Sequence, residues 1–159
     1  MTNVDRMLKI NQHEYEAIRR HGEETYPHEC CGVLLGQADD DGRTVTKTVR
    51  CGNMRSDSPH NRYHIAAQEL VRVQRQARED GLEIVGFYHS HPDHPARWSQ
   101  TDLVEAHWIG CSYVITSVER AQAKITNAFL LGGETEENKH FEDESVQVGL
   151  AVAVNESGR

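Results

Sequence analysis

Apolar positions in this chain fall into two rhythms, one with the period of a strand and one with the period of a helix. Met7-Leu8-Lys9-Ile10 is a short apolar segment. Asn11, followed three residues on by Glu14, resembles a capping box and predicts a helix to about Glu24, with Tyr15 and Ile18 inward and Pro27 beyond its end. Cys30 to Gly36 is a continuous apolar run, Asp39-Asp40-Asp41-Gly42 is a turn, and Thr44 to Val49 alternates, so a β-hairpin is predicted. Asn53 to Asn61 reads as a loop with Ser56, Ser58 and Pro59. Ala66, Leu70, Val73 and Ala77 share one helical face within about His64 to Glu79, and Gly81 ends that helix.

Glu83 to Tyr88 is the next predicted strand, with His89 and His91 at its end. A third helix is predicted from Ser99 to about Ile109. Cys111 to Val118 and Lys124 to Leu131 form a second hairpin across Glu119-Arg120-Ala121-Gln122. The acidic stretch Glu134 to Glu144 reads as a mobile loop, and Val146, Val148, Leu150, Val152 and Val154 alternate as a last strand would. The expected architecture is one α/β domain with a mostly antiparallel sheet, because the hairpins are local.

Composition narrows the classes. At 159 residues the chain suits a single domain with a real core. The net charge is -8 and the basic residues are scattered, so no nucleic-acid stripe is present. No apolar run reaches membrane-spanning length, and Met1-Thr2-Asn3-Val4-Asp5-Arg6 lacks an apolar signal core, so a cytoplasmic, membrane-free protein is expected. Cys30, Cys31, Cys51 and Cys111 contain no C-x-x-C pair and are expected as reduced packing residues.

The chemistry concentrates at His89-Ser90-His91-Pro92, then Ser99 and Asp102. Histidines at i and i+2 of an extended segment project to one side and can reach one metal ion. Asp102 can add an anionic ligand, leaving the fourth tetrahedral position open, as in catalytic zinc sites. Ser99-x-x-Asp102 has a second reading as a helix cap, and the two readings are compatible. His94 lies in the same loop without the right spacing. His28 is expected opposite Glu29, His107 on the surface of the third helix, and Ser90 away from the metal. Trp98 either walls the site or packs the loop.

The spacing H-S-H-P-x6-S-x-x-D resembles the signature of the JAMM (MPN+) metallopeptidases at every fixed position. The stretch Pro27-His28-Glu29-Cys30-Cys31-Gly32-Val33-Leu34-Leu35-Gly36 resembles that family's P-x-E-x-C-G-x-L-x-G segment, with Glu29 in the glutamate position. Ile84 to Tyr88 and the Asn53 to Tyr63 region, with Ser58-Pro59, are similar too. The resemblance implies a JAMM (cytidine-deaminase-like) α/β fold, with a central, mostly antiparallel mixed sheet flanked by about three helices, over residues 1–155, and a polar tail at 156–159. It implies Zn2+ held by His89, His91 and Asp102, with Glu29 as proton shuttle and Ser99 as oxyanion donor. Among prokaryotic members it implies hydrolysis after the C-terminal Gly-Gly of a ubiquitin-like sulfur carrier protein of the ThiS/MoaD type, by cysteine release or tail trimming. A deubiquitinase-like isopeptidase, a non-catalytic MPN scaffold and a cupin-like metal binder are the rival readings. A homodimer is left open.

Overall fold

The computed structural model describes residues 7–53 and 64–149. In chain order the elements are β1 (Met7–Ile10), α1 (Gln12–Thr25), β2 (Cys31–Asp39), β3 (Gly42–Cys51), α2 (Ala67–Glu79), β4 (Glu83–Pro92), α3 (Gln100–Glu105), β5 (Ser112–Glu119), β6 (Gln122–Gly132) and β7 (His140–Val148).

Both predicted hairpins form, and their turns have local causes. Asp39 Oδ1 accepts the Asp41 N–H at 2.8 Å, and Gly42 takes a φ of 139°. Between β5 and β6, Arg120 and Ala121 both have positive φ, 50° and 68°, the geometry that suits the twist of a two-residue hairpin. The strand order is β1-β3-β2-β4-β5-β6-β7, closed into a barrel. Four of the seven pairings are antiparallel; β1 runs parallel to both β3 and β7, and β4 parallel to β5. The mixed, mostly antiparallel sheet with three helices is as expected. Its closure is a correction, and it depends on β1 bridging two strands distant in sequence.

The middle of the sheet is covered on both sides, which is why β2, β4 and β5 read as near-continuous apolar runs. Leu34, Val45, Val85, Tyr88 and Val114 pack with Ile18 of α1. Cys31, Val33, Leu35, Phe87 and Tyr113 pack on the opposite side with Val73 and Ala77 of α2. Val33, Leu34 and Leu35 are fully buried, each contributing about 1.5–3 kcal/mol of hydrophobic stabilisation. Alternation along β4 therefore sends Phe87 toward the α2 face and Tyr88 toward α1.

Several expectations need correction. Asn11 caps α1 by accepting from Glu14 N at 2.8 Å, but the Glu14 carboxylate reaches Thr48 N and Oγ1 instead of closing a box. Helix α2 begins at Ala67, and β4 continues through both histidines to Pro92. Helix α3 stops at Glu105 because Ala106 turns extended (φ -87°, ψ 119°), so His107 lies beyond the helix, exposed, against Glu136 at 3.1 Å. The acidic stretch is not a loop throughout: His140 to Glu144 belong to β7. The predicted strand residues from Leu150 on, most of the Asn53 to Asn61 loop and the 156–159 tail lie outside the described residues. No described helix is long and apolar enough to cross a membrane.

Candidate metal centre and active-site cleft

Strand β4 lies between β2 and β5, with His89 opposite Cys31 on one side and Ile115 on the other. A central strand gives rigid placement to two side chains on one face. His89 and His91 are both buried. Their Nε2 atoms lie 3.2 Å apart. Asp102, in the first turn of α3, brings Oδ1 to 3.3 Å from His89 Nε2 and Oδ2 to 3.2 Å from His91 Nε2. The three residues thus form one cluster of metal-ligating atoms.

The protonation pattern follows from partners and burial. His91 Nδ1 lies 2.8 Å from the Pro95 carbonyl, which can only accept, so Nδ1 is assigned the proton. In the neutral ring the Nε2 lone pair then faces the cluster. Burial pushes the His89 pKa down, against the pull of Asp102. Burial acts to raise Asp102 as well, but the imidazoles outweigh it and hold the carboxyl well below the usual carboxylate range. The site is therefore built of acceptors aimed at one another, an arrangement that a cation between them stabilises.

Ser99 serves both of its sequence readings. It caps α3: its Oγ accepts Asp102 N at 3.1 Å, and Asp102 Oδ2 accepts Ser99 N at 2.9 Å. It also lines a cleft of about 670 Å3 with Glu29, His91, His94, Arg97, Trp98 and Phe129 among the other walls. Trp98 both walls this cleft and packs, with its ring 5.4 Å from that of Phe141. His94 faces the cleft but is not in the ligand cluster.

Glu29 sits just before β2. It is buried, and its Oε1 has no hydrogen-bond partner. Burial, then the nearby charges of Asp102 and Glu105, push its pKa up to about 9. His28 is exposed, as the expected opposite orientation requires.

Two residues hold the backbone beside Glu29: Ser90, which points away from the metal ligands as expected, and Asn53, whose role has no local signal. Ser90 points away from the triad, toward Gly22 of α1, and its Oγ accepts the Cys30 N–H at 2.9 Å. Asn53 donates to the Glu29 carbonyl at 3.2 Å. The peptide group between Glu29 and Cys30 is thereby held at both its carbonyl and its N–H. The alternation of β4 gives the direction of Ser90.

Residues 11–131 match the family described as prokaryotic homologs of the JAB domain. The chain belongs to that family. Membership agrees with the JAMM motif and covers every residue of the cluster and cleft up to Phe129. Over 91 residues the chain is 40% identical to the desampylase of Haloferax volcanii, a match covering 57% of this chain and 63% of that one. It thus spans somewhat less than two thirds of that relative. Over 108 residues it is 30% identical to a probable TtuB-protein conjugate cleaving protease of Thermus thermophilus, covering 68% of each. A solved structure from Desulfitobacterium hafniense superposes with a TM-score of 0.76 at 26% identity, covering 89% of this chain and 92% of that one.

Proposed function

We propose that this prokaryotic JAB-family chain is a zinc-dependent peptidase that hydrolyses the bond after the C-terminal Gly-Gly of a ubiquitin-like protein. The reading takes a ThiS/MoaD-type sulfur carrier as the partner and either a single residue, a short tail or a lysine side chain as the leaving group. The observation that carries it is the convergence of two imidazoles and a carboxylate beside a buried glutamate that is not part of the cluster. Donors about 2.0–2.1 Å from a tetrahedral ion lie about 3.3–3.4 Å apart, close to the 3.2–3.3 Å edges found here. The names of the two curated relatives, both cleaving conjugates or modifiers by name, favour the same class. Four free, buried cysteines suit the reducing cytoplasm this reading assumes.

When bound, zinc supplies Lewis acidity that polarises the scissile carbonyl and acidifies water. Glu29 takes the proton released by the attacking water and returns it to the leaving nitrogen as the C–N bond breaks. Burial pushes the Glu29 pKa up to about 9, and a cation held by His89, His91 and Asp102 would act in the opposite direction and favour the carboxylate that serves as base. Ser99 has one hydroxyl proton left, because its cap role uses only a lone pair. That proton is available to the oxygen on which charge develops. The Pro95 carbonyl fixes the His91 ring. Trp98 and Phe129 exclude water from one wall of the cleft.

The test is a ThiS-type carrier extended beyond its Gly-Gly, incubated with the protein with and without equimolar zinc and read by mass spectrometry. Zinc-dependent release directly after Gly-Gly is expected. Cleavage of ubiquitin dimers with no carrier processed moves the substrate to the deubiquitinase class, and no cleavage of either contradicts the proposal.

A further inference from the structure

The active-site cleft contains a cation that the chemistry above does not use. Arg97 lines the 670 Å3 cleft together with Glu29, His91 and Ser99. It also lines a second cleft of about 630 Å3, which continues past His94, Pro95 and Ala96 toward Arg120, Ile125 and Asn127 at the β5–β6 hairpin. Its guanidinium has no hydrogen bond or ion pair with any described residue. Arg75 and Arg78 on α2 also have no such partner among the described residues, but they line neither cleft, whereas the arginines packed on the barrel are engaged. Arg43 pairs with Glu144, Arg50 with Glu24, and Arg19 holds Thr126 and two backbone carbonyls. The two residues before Arg97 are fixed: the Pro95 carbonyl receives His91 Nδ1 at 2.8 Å, and the Ala96 carbonyl receives Asn127 Nδ2 at 2.9 Å. Arg97 is thus an unpaired fork on a pinned backbone, one residue before the aromatic wall of Trp98.

We propose that Arg97 binds the free α-carboxylate of the residue that leaves, making it a specificity-determining residue for substrates that end one residue beyond the scissile bond. The inference rests on the peptidase reading above and narrows it. Glu29 must reach the leaving nitrogen to protonate it, so the leaving residue lies in the cleft that Glu29 and Arg97 share. A single amino acid in peptide linkage carries its carboxylate two bonds from that nitrogen. A guanidinium binds a carboxylate through two parallel N–H···O bonds. Asp143, the other charged group lining the cleft apart from Glu29, repels a carboxylate, so the anion is directed to the Arg97 end. A lysine side chain as leaving group brings no anion to this position and leaves Arg97 without a ligand.

The experiment compares two probes made by semisynthesis: a ThiS-type carrier extended by one alanine after its Gly-Gly, as the free acid and as the C-terminal amide. The zinc-loaded protein is expected to cleave the acid on the order of 10- to 100-fold faster in kcat/KM. Arg97→Gln is expected to bring the acid down toward the rate of the amide and to slow the amide far less than the acid. Arg97→Lys should retain part of the preference. Equal rates on the two probes in the wild type, or an equal loss on both in Arg97→Gln, overturn the proposal. A second readout needs no turnover. The tripeptide Gly-Gly-Ala should shift the Arg97 Nε–H resonance by NMR, and Gly-Gly-Ala amide should not. If no carrier is cut but the acid still binds selectively at Arg97, the peptidase reading fails and the subsite stands. If acid and amide bind alike, the subsite is wrong whatever the protein cleaves.

Discussion

Two polar clusters are buried in this small barrel, and they are built on opposite rules. At one, Arg43 of β3 reaches Ser112 Oγ at 2.7 Å, the Gly110 carbonyl at 3.3 Å and Glu144 of β7 at 2.5 Å. A cation meets an anion, a hydroxyl and a carbonyl, and the cluster ties three distant strands together. At the other, two imidazole nitrogens and a carboxylate meet at 3.2–3.3 Å beside a glutamate oxygen with no partner. The first cluster neutralises its own charge, although Glu144 Oε1 accepts no hydrogen bond from the described residues. The second presents mostly acceptors to a common point and leaves the compensating charge to something outside the chain. Burial is similar in both, so burial alone does not separate a structural polar cluster from a chemical one. The sign and direction of the groups do.

The sharpest way to break the comparison is to remove the unpartnered glutamate. Glu29→Gln keeps shape and burial but cannot take a proton. Turnover of the carrier probe is expected to fall about 10²–10⁴-fold with zinc content unchanged. Unaltered turnover would move the base to another residue. The matched cluster should respond in stability instead. Glu144→Ala leaves Arg43 buried without its anion and is expected to cost about 3–5 kcal/mol by urea denaturation, whereas replacing both residues by apolar ones of similar volume should cost far less. Equal costs for the single and double replacements would deny the pairing its importance.

Ser99 belongs to both descriptions, and Ser99→Ala separates them. Loss of the hydroxyl proton should lower kcat by roughly 10²–10³-fold. Loss of the cap should lower stability by about 1 kcal/mol. A lower melting temperature with unchanged kcat leaves Ser99 as a cap alone.

A third buried group affects stability through pH alone. His21 of α1 sits 2.7 Å from the Tyr88 hydroxyl, with Arg50 and Glu24 nearby. Burial first, then the Arg50 charge, lowers its pKa to about 4, against an opposing pull from Glu24. The unfolded chain therefore takes up this proton before the folded one does. Its stabilising contribution is complete above about pH 6.5 and is lost as pH falls toward 4. His21→Gln should flatten that part of the melting temperature against pH curve, and an unchanged slope would assign it to other groups.

The site was largely legible in the sequence because its parts are close along the chain. His89, His91, Ser99 and Asp102 fall within one strand and the helix turn that follows, and strand alternation fixes which way Ser90 points. The elements misread are those whose cause is remote. Glu144 looked like part of a solvated acidic run because its partner, Arg43, is 101 residues away. Barrel closure depends on four residues of β1 pairing with both β3 and β7, a fact that no local pattern carries. The end of α3 at Glu105 has no glycine or proline to announce it; the apolar spacing continues while the backbone turns extended at Ala106. Asn53 was silent as a support for Glu29 for the same reason: what marks it is the company it keeps in the folded chain.

The central claim is that His89, His91 and Asp102 hold one zinc ion. Anomalous diffraction from crystals grown with equimolar zinc, measured on both sides of the zinc absorption edge, tests it directly. The account predicts one strong peak about 2.0–2.2 Å from His89 Nε2, His91 Nε2 and an Asp102 oxygen, and its disappearance in Asp102→Ala. No peak at this position, or a peak that survives Asp102→Ala, would contradict it.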